Sequence, residues 1–345
     1  MQNDKNISAD NMKDLRQRTS AFSMLNSSLL ARLTAPEPRL PWIIEWLRHK
    51  VWSEDKFSAG TPEEYLVQGE HDVHSFEELV ATAADRFYDE LVSAVTQVKP
   101  LTDTISADTA VVVFDGASLR EIPVFLQKAR ETGFTVLEQR TSLAALPSTT
   151  TAFVEHRIIG KAIGPKSLPQ RKELKDQNIK AYYFDDAISS HQIHCPNGEK
   201  ILIWSAFPDV TYQNSDARFA RHFADMQKLY DTAWKNTVMQ VPRTKKIVIT
   251  SDHGYIFFGA GFDSTRQTDA CDLLDQDRYR SFNQDEIIPQ LSQHPQLQIF
   301  HDKRLAMLRG RIKNKPRGQS ANKIYRHGGL SLMEMLVPWI VIERK

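Results

Sequence analysis

Three short apolar runs each end on an aspartate: TAVVVFD at 109–115, KILIWSAFPD at 200–209 and KKIVITSD at 245–252. Strands that are apolar without alternation suit a sheet covered on both faces. Helix-period segments lie between them, EIPVFLQKARETG at 121–133 and DARFARHFADMQKLYDTAWKN at 216–236. Further strands are predicted at FTVLEQ (134–139), KAYYFDD (180–186) and VPWIVIE (337–343), with a short helix starting near residue 150. Strand alternating with helix predicts an α/β fold with a largely parallel sheet. Ligands of open α/β sheets sit beyond the carboxyl ends of the strands. Asp115, Asp209 and Asp252 can therefore converge although they are far apart in sequence, and such carboxylates with imidazoles suit a divalent cation.

The first hundred residues have a different pattern. PWIIEWLRHKVW (41–52) has apolar residues at helical spacing, and SFEELVATAADRFYDELVSAV (75–95) predicts a helix capped by Ser75 and Glu78. A stretch rich in Pro, Thr, Ser and Asp follows. The expected organisation is a helical N-terminal region over 1–105 and an α/β domain over 106–345, with 255–300 as an insertion or lid. Cys195 and Cys271 are the only cysteines, which excludes a disulfide framework and a thiolate zinc site. The polar N-terminus lacks the apolar core of a signal peptide. No run approaches the roughly 18 apolar residues of a membrane span. A soluble, reducing, cytoplasmic setting is expected, with no membrane partner. The net charge of +1 removes any global electrostatic case for nucleic acid.

Each local feature has a structural and a chemical reading. Asp252-His253-Gly254 is either a strand-terminal turn or a pair of ligands; Asp115-Gly116 reads equally as turn chemistry. His327-Gly328-Gly329 leads into a helix capped by Ser331 and Glu334. Three threonines follow Pro147-Ser148. They can cap a helix, or one can act as a nucleophile at a helix start near a metal. His191, His194 and Cys195 read as a loop, and His222 as a helix-face histidine. The stretch 302–329 carries nine Lys or Arg against one Asp. It is either a solvated face or a phosphate-attracting one.

Taken in order, Asp115, Pro-Ser-Thr-Thr, Asp209, Asp252-His253 and His327 resemble the PglZ domain, a branch of the alkaline phosphatase superfamily. Three segments carry the resemblance: VVVFDG, IVITSDHGY and, most specifically, YRHGGLSLMEMLVPW. It covers about 109–345. It implies an alkaline-phosphatase-like sheet sandwiched by helices, and one or two divalent metals, zinc being the expected ion. It implies Thr150 as nucleophile, because Pro147 and Gly160 have the spacing found in related phosphodiesterases; Thr149 and Ser118 are the alternatives. Asp115, Asp252 and His253 would surround one metal with Thr150, and Asp209 and His327 would hold the other. Gln213 stands where the superfamily commonly has a second-site histidine, with His222 or Asp216 as substitutes.

The resemblance implies a metal-dependent phosphatase or phosphodiesterase in bacterial phage defence (BREX-like) or signalling. The basic stretch favours a nucleotide or nucleic-acid phosphodiester, held by Arg309, Arg311, Lys313 and Arg326, with a phosphomonoester as the rival substrate. A different class of function is a catalytically impaired module that assembles with defence-complex proteins through the N-terminal helices.

Overall fold

A computed structural model describes residues 31–33, 38–83, 86–195, 198–213, 219–258, 274, 278–283, 294–312 and 325–345. Its centre is a six-stranded sheet of β1 (Thr109–Phe114), β2 (Phe134–Leu143), β3 (Ile179–Phe184), β4 (Lys200–Ser205), β5 (Lys246–Thr250) and β11 (Leu336–Arg344). The spatial order is β2-β11-β5-β1-β4-β3. β1 pairs in parallel with β4 and β5, and β3 with β4, whereas β11 runs antiparallel to both β2 and β5. The sheet is thus largely parallel, with one reversed strand.

Successive side chains of a strand face opposite ways, so one apolar run supplies two cores. Val112 and Phe114 join Ile203 and Ile249 under the helices Ile122–Glu131 and Phe219–Asn236. Val111 and Val113 join Leu202, Trp204 and Val248 on the other face, where Phe153, Val154 and Ile158 cover them. The expected sheet sandwiched by helices, preceded by a helical region, is present. The N-terminal helices share the first of these apolar clusters with the sheet: Leu66, Val73 and Phe76 belong to it.

The predicted helix at 75–95 differs in its bounds. Helix Pro62–Ala83 runs through Ser75, and a second helix spans Phe87–Thr96. The reciprocal cap forms at Thr61 and Glu64: Glu64 N–H donates to Thr61 Oγ1 (3.2 Å) and Thr61 N–H to Glu64 Oε2 (2.8 Å). Within 255–300, the described residues form β6 (Ile256–Phe257), β7 (Tyr279–Ser281) and β8 (Leu297–Phe300). β7 and β8 flank β9 (Leu305–Leu308), and β6 pairs with β10 (Tyr325–Arg326), so the pairing extends past the expected insertion. Among the described residues, no helix is long and apolar enough to cross a membrane.

Candidate metal and phosphoester centre

One edge of the sheet collects the candidates, and strand direction explains why. β1, β4 and β5 are adjacent and parallel, so Asp115, Asp209 and Asp252 emerge at the same edge. β2 points the same way and delivers the 144–150 loop there. β11 is reversed, so its amino end, preceded by His327, lies at that edge too.

Asp115 is 6% exposed. Its Oδ2 accepts from the Trp204 indole Nε1–H (3.0 Å), and its Oδ1 from the Thr150 hydroxyl (3.4 Å). Asp252 is fully buried. Its Oδ1 accepts from Gly116 N–H (3.1 Å), whereas its buried Oδ2 has no hydrogen-bond partner. His253 Nδ1 lies 2.8 Å from Gly254 O, which places the proton there and leaves Nε2 as an acceptor. That Nε2 is 3.2 Å from Thr150 Oγ1, 3.5 Å from Asp252 Oδ2 and 3.7 Å from Asp115 Oδ1. The His327 ring stacks on His253 with centroids 4.0 Å apart.

Two glycines permit this approach. Gly116 has φ +75°, and a β-carbon there would lie 2.9 Å from Asp209 Cβ. A β-carbon on Gly254 would lie 2.1 Å from Met333 O, so the His253 turn packs directly on the helix Leu332–Met335.

Ligand atoms of Asp115, Asp252 and His253 all lie within 4.8 Å of one another, and so do those of Asp209, His253 and His327. Burial, then Asp252, then Asp209 push the Asp115 carboxyl well above the ordinary carboxylate range. An orphaned buried carboxylate oxygen among crowded acids and imidazoles is an environment that a divalent cation satisfies. The donor set therefore fits a metal-binding site, adjacent to Thr150.

Of the three hydroxyl candidates, Thr150 is the one in contact with these groups among the described residues. Thr149 is the N-cap of helix Thr150–Val154 and accepts from Ala152 N–H. Ser118 is buried in its own capping box with Glu121. Two cations of the basic stretch, Arg311 and Arg309, are engaged by protein groups. Arg311 is 3% exposed and bonds Glu70 (2.8 Å) and Phe257 O (3.1 Å), so it is a core ion-pair residue rather than a cation offered to phosphate. Arg309 donates to Gln298 and to Pro295 O and lies over the Tyr88 ring. Arg326 is buried beside His327 in sequence. Lys313 and Asp216 lie outside the described residues, as do the side chains of Gln213 and His222. His191, His194 and Cys195 lie in an irregular segment, with Tyr182 bonding His194 O and 3.6 Å from the Cys195 sulfur.

Sequence patterning missed Ser148. Its hydroxyl donates to Gly329 O (2.8 Å) and accepts from Gly328 N–H (3.0 Å). Its carbonyl lies 3.2 Å from His327 Nδ1. Two residues before Thr150, it ties the Thr150 loop to the His327 loop. Trp204 was missed as well, since an indole in an apolar strand carries no signal of a carboxylate partner.

No family model matches the chain, and no curated protein matches it. Among solved structures, murine ectonucleotide pyrophosphatase/phosphodiesterase 5 is similar at 12% identity, covering 69% of this chain and 88% of that one, with a TM-score of 0.43. Phosphonoacetate hydrolase from Sinorhizobium meliloti 1021 is similar at 12% identity, covering 67% and 89%, with a TM-score of 0.42. At these identities and scores, the likenesses bear on neither the chemistry nor the family of this chain.

Proposed function

We propose that the chain is a metal-dependent phosphoric ester hydrolase with Thr150 as its nucleophile. One observation carries this: the Thr150 hydroxyl lies 3.2 Å from His253 Nε2 and 3.4 Å from Asp115 Oδ1, against two acid–imidazole clusters. Asp115, Asp252 and His253 would hold one divalent cation, and Asp209 and His327 a second. Zinc suits this imidazole and carboxylate set. Bound there, a cation would lower the pKa of the Thr150 hydroxyl and offset charge on the phosphoryl and leaving oxygens.

The chain's own part is to aim and deprotonate. Oγ1 forms a bond to phosphorus as the ester P–O bond breaks. With His253 Nε2 taken up as a ligand, Asp115 Oδ1, 3.4 Å from Oγ1, would be the acceptor for its proton. The departing alcohol oxygen takes up a proton from solvent. Water then attacks the phosphothreonine, breaking the P–Oγ1 bond, releasing phosphate from a monoester substrate or a phosphomonoester from a diester, and restoring the hydroxyl.

Placement in the alkaline phosphatase superfamily as a PglZ-type protein of phage defence is supported by the three sequence segments quoted above. The basic stretch favours a nucleotide or nucleic-acid diester. With Arg309 and Arg311 engaged by protein groups, diester and monoester substrates are both to be tested. The test is hydrolysis of bis-p-nitrophenyl phosphate and p-nitrophenyl phosphate with Zn²⁺, Mn²⁺ or Mg²⁺. Metal-dependent turnover should fall by about 10³-fold or more in Thr150→Ala. Turnover that survives the substitution removes the nucleophile. Gln213 favours a second reading, an impaired module of a defence complex. Absent turnover from protein that still binds metal, with stable capture of a defence-complex protein, would support that reading.

A further inference from the structure

A cavity of about 360 Å³, lined by none of the candidate ligands, lies between the end of helix Phe87–Thr96, the segment after it and the β2–β11 side of the sheet. Its apolar walls include Val98, Leu101, Phe153 and Trp339, the last two aromatic. This volume holds a molecule of one or two rings.

The polar side of the cavity is cationic. Lys99, Arg140 and Arg157 border it, and no acidic side chain among the described residues does. Arg140 is half-exposed, pairs with Glu138 at 2.8 Å and lies over the Trp339 ring at 4.0 Å. Arg157 is different. It is 6% exposed, and its guanidinium donates to Val95 O (2.9 Å) and Val98 O at the end of helix Phe87–Thr96. Its buried Nε has no hydrogen-bond partner, and neither does the buried Thr141 Oγ1, which borders the same cavity. Burial pulls the Arg157 guanidinium below its usual range, and no carboxylate among the described residues counters that. A second cavity of about 210 Å³, reached by His156 and Lys303, borders Arg157 as well.

The helix-end carbonyls offset part of the cost of burying Arg157, but among the described residues no carboxylate neutralises its charge. An anion that enters the cavity meets the positive charge of Lys99, Arg140 and Arg157, while aromatic surface on the ligand meets Phe153 and Trp339. We propose that this cavity is a binding site for a small organic anion with an aromatic body, its anionic group directed to Arg157 and its ring to Phe153 and Trp339. The site is separate from the metal-ligand clusters and does not depend on the proposed hydrolase activity.

Calorimetric titration of EDTA-treated protein tests it, since no cation then remains at the other site to bind an anion. The probes are 1-naphthoate, the neutral 1-naphthalenemethanol of the same ring system, and acetate. The expected result is saturable 1:1 binding of naphthoate, at least tenfold weaker binding of the alcohol, and none of acetate. Arg157→Gln keeps an N–H for the helix carbonyls and removes the charge. It should bring naphthoate affinity down to that of the alcohol. Lys99→Glu, at an exposed rim position, keeps the test open if Arg157→Gln does not fold. It should weaken naphthoate several-fold and leave the alcohol unchanged. The proposal is overturned if wild type shows no saturable naphthoate binding, if acid and alcohol bind alike, or if folded variants of both kinds bind naphthoate as wild type does.

Discussion

Ser148 makes the clearest case of a residue whose role exists only in three dimensions. Its hydroxyl bridges Gly328 N–H and Gly329 O, and its bond to Gly329 spans 181 positions of sequence. Ser148→Ala removes both bonds and leaves the carbonyl that faces His327 Nδ1. The histidine then keeps its tautomer but loses its anchor. Groups that orient metal ligands are typically worth about 10–100-fold in metal affinity or activity. The expected outcome is a protein of near-normal fold with hydrolysis reduced by about that factor, partly recovered in excess metal. A merely structural defect would show no such recovery, so a titration of rate against Zn²⁺ decides the matter. The strand-terminal acids were legible in the sequence because a β-branched run ending on Asp is rare and topology sends such ends to one edge. Ser148 was not, because a serine before a helix start already has an ordinary capping explanation. The ion pair of Arg311 was hidden for a related reason: charge along a chain does not reveal burial, and the carboxylate that takes it lies 241 residues away in Glu70.

At the scale of elements, helix Pro62–Ala83 does more than cover the sheet. It sends Glu70 to Arg120 and Arg311, and Glu77 to the backbone N–H of Leu332 (2.6 Å), at the start of the helix that follows His327-Gly-Gly. On that helix Glu334 bonds Gly329 N–H (2.9 Å) and pairs with Arg278 (2.6 Å). A chain of buried polar contacts therefore links an N-terminal helix to a candidate ligand loop. The sequence showed the helix, but its start was misplaced because Thr61 and Glu64 form the cap that Ser75 and Glu78 mimic. Glu77 is the weak link. Its Oε2 is buried without a hydrogen bond, 4.0 Å from Arg311 Nε, and burial pushes its carboxyl up to about 7. A folded-state value above the unfolded one means that the contribution to stability is complete below about 4.5 and is lost as pH rises through about 7. At pH 8 ionisation of Glu77 then costs up to about 3 kcal/mol. Glu77→Gln retains the acceptor for Leu332 and removes that cost. Thermal unfolding should show the variant more stable than wild type by a few degrees at pH 8, the gap closing at pH 5. A variant less stable at pH 8 would mean that Arg311 relies on the charge.

At the scale of the whole molecule, the edge where the strands end crowds carboxylates together. Asp115 and Asp252 are buried together, Asp209 adjoins them, and Asp252 Oδ2 lacks a hydrogen bond. Natural chains tolerate such strain where a ligand or reaction requires it. Two opposite effects of one substitution follow. In metal-free protein, Asp252→Asn keeps the acceptor for Gly116 N–H and relieves the repulsion on Asp115, so its melting temperature should equal or exceed that of wild type. A ligand that binds only the folded chain stabilises it by about 2.7 kcal/mol at a hundredfold excess over its dissociation constant. For a chain of 345 residues that is a rise of several degrees. Wild type should show this rise with Zn²⁺, and Asp252→Asn should lose most of it, because a neutral amide is a far poorer ligand than a carboxylate. The two melting curves should therefore cross as metal is added, the variant being the more stable protein in EDTA and the less stable one in zinc. Parallel shifts in both proteins would show that zinc binds elsewhere and that the crowded acids hold no cation, whatever Thr150 proves to do.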